Sequence, residues 1–170
     1  MHTLRRIPHG LLALVALTLV ALVTVPARAA GVVEVTFIAP EKYVDIGRLA
    51  FDRDKVLRQL RTHFEELGRR LPDGQTLKVD VLEIDLAGTL WPTRNGEELR
   101  VLRGGADWPR LTLNYVLAAP GEASKSGAAT LSDMAYMQRQ RLPDTHDLAF
   151  ERRMIDEWFE TVILSPAALK

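Results

Sequence analysis

Thr76-Leu77-Lys78-Val79-Asp80-Val81-Leu82-Glu83-Ile84-Asp85-Leu86 is the stretch on which the fold turns. Leu77, Val79 and Val81 alternate with Lys78 and Asp80, the period of two that gives a strand one apolar face. At Leu82 the phase slips: Leu82, Ile84 and Leu86 continue the apolar set one residue out of step. On a flat strand the two sets would lie on opposite faces. One extra residue near Val81-Leu82, a β-bulge, keeps both sets on the core. The alternative is a strand buried on both faces, and Lys78, Asp80, Glu83 and Asp85 argue against it.

Upstream, Val56, Leu57, Leu60, Phe64, Leu67 and Leu71 recur at steps of three and four, the stripe of an amphipathic helix. Asp52 or Asp54 is placed to cap its start, and Pro72-Asp73-Gly74 stops it. Before it, Val33, Val35 and Phe37 alternate with Glu34 and Thr36 as a first strand. Downstream, Ala87 to Gly96 reads as a loop, carrying Gly88, Trp91-Pro92 and Asn95-Gly96. Leu99 to Arg103 is a short strand, and Leu111, Leu113, Tyr115 and Leu117 mark a longer one. Pro120 to Gly127 is a polar hairpin loop from which Ala128 to Met137 returns as a further strand. A second helical stripe runs through Leu148, Met154, Ile155, Trp158, Phe159 and Val162, with Asp144 and Asp147 suited to its amino end. The order is strand, helix, four strands, helix. The expected architecture is a single α+β domain, a mainly antiparallel sheet of about five strands with two helices packed on one face.

The chain has 170 residues, 47% hydrophobic and 26% charged, within the range of one globular domain. It contains no cysteine, which excludes disulfides, thiolate metal sites and cysteine nucleophiles. Arg5 and Arg6 precede an apolar run from Leu11 to Val25, then Pro26 and Ala27-Arg28-Ala29, the layout of a secretory signal peptide cut between Ala29 and Ala30. The apolar run is shorter than the roughly twenty residues a spanning helix needs, so no stable membrane span is expected after cleavage. Residues 1–29 are thus expected to be a signal peptide and residues 30–170 a single mature, exported α+β domain. Cleavage removes three of the 22 basic residues and none of the 22 acidic ones, leaving a net charge of −3. That balance speaks against nucleic acid as a partner.

No catalytic constellation, metal site or cofactor motif emerges. His63 lies at the border of the first helical stripe and reads as a packed, hydrogen-bonded residue. Asp144-Thr145-His146-Asp147 fits helix capping better than calcium or zinc ligation. Asp80, Glu83 and Asp85 read as the solvated side of a half-exposed strand. Gly-x-Ser-x-Gly, Walker and dinucleotide patterns are missing. The binding residues singled out are Trp91, Arg103, Trp108 and Arg110: Trp108-Pro109 flanked by two arginines and Trp91-Pro92 in the preceding loop, a set suited to a protein or glycan partner. The alternative is that each tryptophan folds back to cover the sheet edge or a helix end.

Val33 to Phe37, Leu77 to Gly88, Ala106-Asp107-Trp108-Pro109-Arg110-Leu111, Leu131 to Met137 and Glu151 to Phe159 together resemble an uncharacterised family of secreted proteobacterial proteins, domain of unknown function three thousand and sixteen. The resemblance spans about Gly31 to Val162. It implies a periplasmic or secreted location and carries no activity and no site residues. The leading functional reading is a non-enzymatic periplasmic binding or envelope accessory domain with an envelope protein or glycan partner. The alternative is a hydrolase-type enzyme with its site near Asp133, Asp144 and His146. A third reading is a homodimer formed through an edge strand. Export has a direct test: intact-mass measurement of protein recovered from the periplasm should give a chain starting at Ala30, and a chain starting at Met1 refutes the cleavage.

Overall fold

The computed structural model describes residues 30–47, 49–96, 98–139 and 148–165. Strand β1 (Val32–Phe37) leads through a 3-10 turn at Pro40–Lys42 to helix α1 (Ala50–Gly68). Five strands follow: β2 (Thr76–Asp85), β3 (Thr89–Pro92), β4 (Glu98–Val101), β5 (Arg110–Ala118) and β6 (Lys125–Ser132). Helix α2 (Ala149–Trp158) closes the order and runs on into a π turn, Phe159–Ile163. The main sheet has the order β1-β2-β5-β6, and β3 and β4 form a separate two-stranded ribbon. Only β1 and β2 are parallel, as a strand-helix-strand crossover demands; every other pairing is antiparallel. This is the expected α+β architecture, built from six strands.

The bulge in β2 is present. Its register with β5 steps from Val81↔Leu113 to Glu83↔Thr112, so Leu82 is the extra residue. Leu77, Val79, Val81, Ile84 and Leu86 are all buried, whereas Leu82 itself is 38% exposed and does not join the core. The bulged residue is ejected so that those after it regain the inward phase.

Both helices pack on one face of the sheet and against each other. Leu60, Phe64 and Leu67 of α1 meet Met154, Ile155 and Trp158 of α2 in a continuous core with Val33, Val35, Leu77, Leu111 and Leu113. Trp158 is the keystone, edge-on to Phe64 at 6.5 Å and to Tyr115 at 5.6 Å between ring centres. The π turn brings Phe159 and Ile163 into the same core by offsetting the helical phase. Two glycines permit close approaches. A Cβ on Gly68 would lie 3.1 Å from the Val33 nitrogen, and one on Gly127 would lie 2.7 Å from the Tyr115 hydroxyl, whose ring covers β6 there. The opposite face carries Glu34 paired with Lys78, then Thr36, Asp80, Asn114, Ser126 and Thr130, all exposed.

Several boundaries differ from the sequence reading. Ala87 to Gly96 is not all loop, because Thr89–Pro92 pairs with Glu98–Val101. Five strands therefore follow α1, where four were expected. The last strand ends at Ser132, and residues 134–139 form turns instead of continuing to Met137. Neither Asp52 nor Asp54 caps α1: its first flanking residue is Leu49, with no side-chain cap, and Asp52 lies in the first turn, where a carboxylate meets the positive end of the helix dipole. Asp144, His146 and Asp147 lie outside the described residues, and α2 begins from Leu148 in the left-handed region.

Trp158 carries the stability prediction. Trp158→Ala should cost about 3–5 kcal/mol in denaturant unfolding, the range for a large buried aromatic. Its indole Nε1 has no hydrogen-bond partner among the described residues, so Trp158→Phe should cost less. A loss below about 1 kcal/mol for the alanine variant refutes the packing role.

Candidate functional site

Beyond β1, the chain stays beside β2. The Tyr43 hydroxyl donates to the Val81 carbonyl at 2.6 Å, the Val44 amide donates to the Glu83 carboxylate at 2.9 Å, and Asp45 makes an isolated parallel bridge with Asp85. Burial pushes the Tyr43 hydroxyl up to about 12, so it stays a donor. These ties bring Asp45 and Asp85 side by side, where the bulge has already turned Glu83 and Asp85 away from the core.

Across from them stands the β3–β4 ribbon, pinned by Arg100. Its guanidinium grips the Asp45 carboxylate with two bonds, 2.7 and 3.2 Å, and donates to the Ala87 and Gly88 carbonyls at 3.3 Å. From below, Glu151 of α2 accepts the Ala87 amide at 2.7 Å. Glu151 is 2% exposed, and that burial raises its pKa against the pull of the amide and of Arg100. The Gly88 amide then donates to the Asp107 carbonyl at 2.8 Å, holding the loop that follows β4. Within that loop the Asp107 carboxylate accepts the Arg103 amide at 2.7 Å, which lowers its pKa, with the nearby Tyr136 hydroxyl adding to the effect.

The result is an open cleft of about 820 Å³ between the end of β2, the 41–47 segment, the first turns of α1 and the 103–107 loop. Glu41, Asp45, Asp85 and Asp107 line it with Arg53 and Arg103. Asp85 is not the ordinary solvated carboxylate expected from the strand pattern. Burial is the main cause of its raised pKa, the Asp45 charge adds to it, and Arg110 and Arg100 offset it in part.

The four residues singled out from the sequence fall into two stacked pairs. The Arg103 guanidinium lies over the Trp91 ring at 4.5 Å, and that of Arg110 over Trp108 at 4.8 Å. Arg103 lines the cleft, and Arg110 stands opposite Asp85 in the β2–β5 register. Both pairs thus connect to the cleft wall through their arginines. Trp91 lies on β3, 50% exposed, and Trp108 is half-buried.

Asp133 and His63 serve elsewhere. Asp133 is buried, accepting from Arg153 at 3.0 Å and from the Ala135 amide at 3.1 Å, which ties α2 to the turn after β6. Its proposed companions Asp144 and His146 lie outside the described residues. His63 bridges the helices: Arg152 donates to Nδ1 at 3.2 Å, and Nε2 faces Asp156 at 2.8 Å. Among the described residues no group of three or more histidine or acidic residues is arranged to hold a metal ion, and no helix is long and apolar enough to cross a membrane.

Glu151 and Arg100 went unremarked in the sequence, although Glu151 sits four residues before Ile155 and seven before Trp158, squarely on the apolar stripe. A carboxylate at that spacing is the available signal.

The chain matches the family model described as Protein of unknown function (DUF3016) over residues 31–161 and belongs to that family. Comparison with curated proteins and with solved structures gives no match.

Asp85 gives a pH prediction with a definite sign. A carboxyl with a raised folded pKa binds its proton more tightly in the folded chain, so stability rises as pH falls through that pKa, and the ionised form destabilises the fold at neutral pH. Asp85→Asn should therefore raise the urea midpoint at neutral pH and flatten its dependence across the carboxylate range. A lower midpoint at neutral pH contradicts the assignment.

Proposed function

We propose that this DUF3016 domain is a non-enzymatic binding module of the periplasm that takes a positively charged segment of an envelope protein into the cleft beside Asp85. The observation that carries the reading is the contrast among the lining carboxylates. Asp45 is held by Arg100 and Asp107 by the Arg103 amide, whereas Asp85 is left with a charge that its surroundings disfavour. A cationic group entering the cleft would favour the ionised carboxylate that burial and the Asp45 charge disfavour.

The surrounding geometry supports a receptor. The walls are fixed by Arg100, Glu151 and the Tyr43 hydroxyl, so the cleft is preformed. The half-exposed Trp91, stacked on Arg103 at the rim, offers amphipathic contact area of the kind that dominates binding hot spots. A mature charge of −3 favours encounter with a basic partner.

The test uses the purified mature chain with Trp108→Phe, so that Trp91 reports by fluorescence beside the buried Trp158. An oligolysine peptide should give a saturable change that salt weakens, and a neutral oligosaccharide should give none. Asp85→Asn should weaken peptide binding about tenfold, the scale of about 1.4 kcal/mol, while stabilising the fold. Binding unaffected by Asp85→Asn, or response to the oligosaccharide alone, overturns the proposal.

A further inference from the structure

The sheet order leaves two edges, β1 and β6, and the fold treats them differently. On β1, the amides of Val32 and Ile38 donate toward the β2 side, which turns the groups of Val33, Val35 and Phe37 outward. That edge is guarded. Arg61 reaches across from α1 to donate to the Val35 carbonyl at 2.9 Å, and its guanidinium lies over the Phe37 ring. A cation laid along an edge strand is a standard obstacle to further pairing.

β6 carries a single charged residue, Lys125, at its first position. It pairs with β5 over all eight of its residues without a bulge, and it contains no proline and no acidic residue. The Asp133 amide donates to the Pro109 carbonyl at 3.4 Å, which fixes the parity of the ladder: odd-numbered residues face β5. Ser126, Ala128, Thr130 and Ser132 therefore send their amides and carbonyls outward, and their side chains are exposed, small and uncharged. None of these outward backbone groups has a hydrogen-bond partner among the described residues.

We propose that β6 is a homodimerisation edge, two copies of the chain pairing β6 antiparallel to β6 about a two-fold axis and fusing their sheets into one. The strand is complementary to itself. Antiparallel pairing sets outward residue against outward residue, which here means even against even. With Ala128 opposite Thr130 and Ser126 opposite Ser132, all four outward residues of each copy are used and none of these four carries a charge. Both helix layers then lie on the same side of the joined sheet, because directly opposed residues share a face.

Charge at the opposed pair separates this from other outcomes. The purified mature protein should have twice the monomer mass by light scattering, with slow amide exchange at residues 126, 128, 130 and 132. Ala128→Lys with Thr130→Lys places lysine opposite lysine and should halve the mass and speed that exchange. Ala128→Lys with Thr130→Glu places opposite charges together and should remain dimeric, which shows that charge sign and not misfolding is read. A monomeric wild type overturns the proposal: slow edge amides would then mean that the chain covers its own edge, and fast ones that β6 awaits a different polypeptide. A Lys/Lys variant that keeps the dimer mass overturns it as well.

Discussion

The extra residue at Leu82 is the constraint from which both the core and the cleft follow. A strand as long as β2 must bury apolar residues along its whole length, yet its pattern changes phase midway. Without the bulge, Glu83 and Asp85 would point under the helices while Ile84 and Leu86 faced water. Burying carboxylates without partners costs several kcal/mol each, far more than a locally broken ladder. The ejected Leu82 is the lesser cost, since one large residue left 38% exposed forfeits only part of its transfer energy. The same phase change aims Asp85 beside Asp45, so the carboxylate pair of the cleft is a by-product of saving the core.

Holding that pair takes a second, electrostatic device. Arg100 and Glu151 approach the Ala87–Gly88 turn from opposite sides, one donating to its carbonyls and the other accepting its amide. Glu151 is buried and Arg100 partly so, and the desolvation of such groups offsets most of what their bonds contribute. Breaking one partner away is expensive, however, and this makes the arrangement hard to distort. The arrangement suits a wall that must keep its shape more than a core that must maximise stability. An apolar residue at position 151 would pack, but it would leave the Ala87 amide without an acceptor.

How far the sequence disclosed this depends on whether each feature is local. The stripes of α1 and α2, the alternation of β1 and β5, and the slip in β2 were all legible, because each is a period written over several consecutive residues. The β3 strand was not. Its ribbon packs away from the main sheet and its exposures show no alternation, so Trp91-Pro92 looked like a loop. Asn95-Gly96 between two short apolar stretches was the available sign of a hairpin. Of the site, the Trp108–Arg110 pair was visible as neighbours in the chain, whereas the stacking of Arg103 on Trp91 and the partnership of Asp45, Asp85, Arg100 and Glu151 are long-range. No spacing rule anticipates a contact between residues on four different segments.

The two surfaces proposed above lie at opposite ends of the strand order. The cleft is assembled from the extension of β1, the end of β2, the start of α1 and the 103–107 loop, and none of its lining residues belongs to β6, which is separated from β2 by the whole of β5. Pairing through β6 therefore covers no residue that lines the cleft, and a dimer would carry two clefts related by the two-fold axis. A partner with two basic segments could engage both, and the second contact would then form at an effective concentration set by the spacer between them. This matters for an open cleft of mixed charge, where the Asp85 contact alone is worth only about tenfold in affinity. Bivalence would add to the affinity of a single cleft, and the proposed β6 edge and Asp85 cleft would then act together.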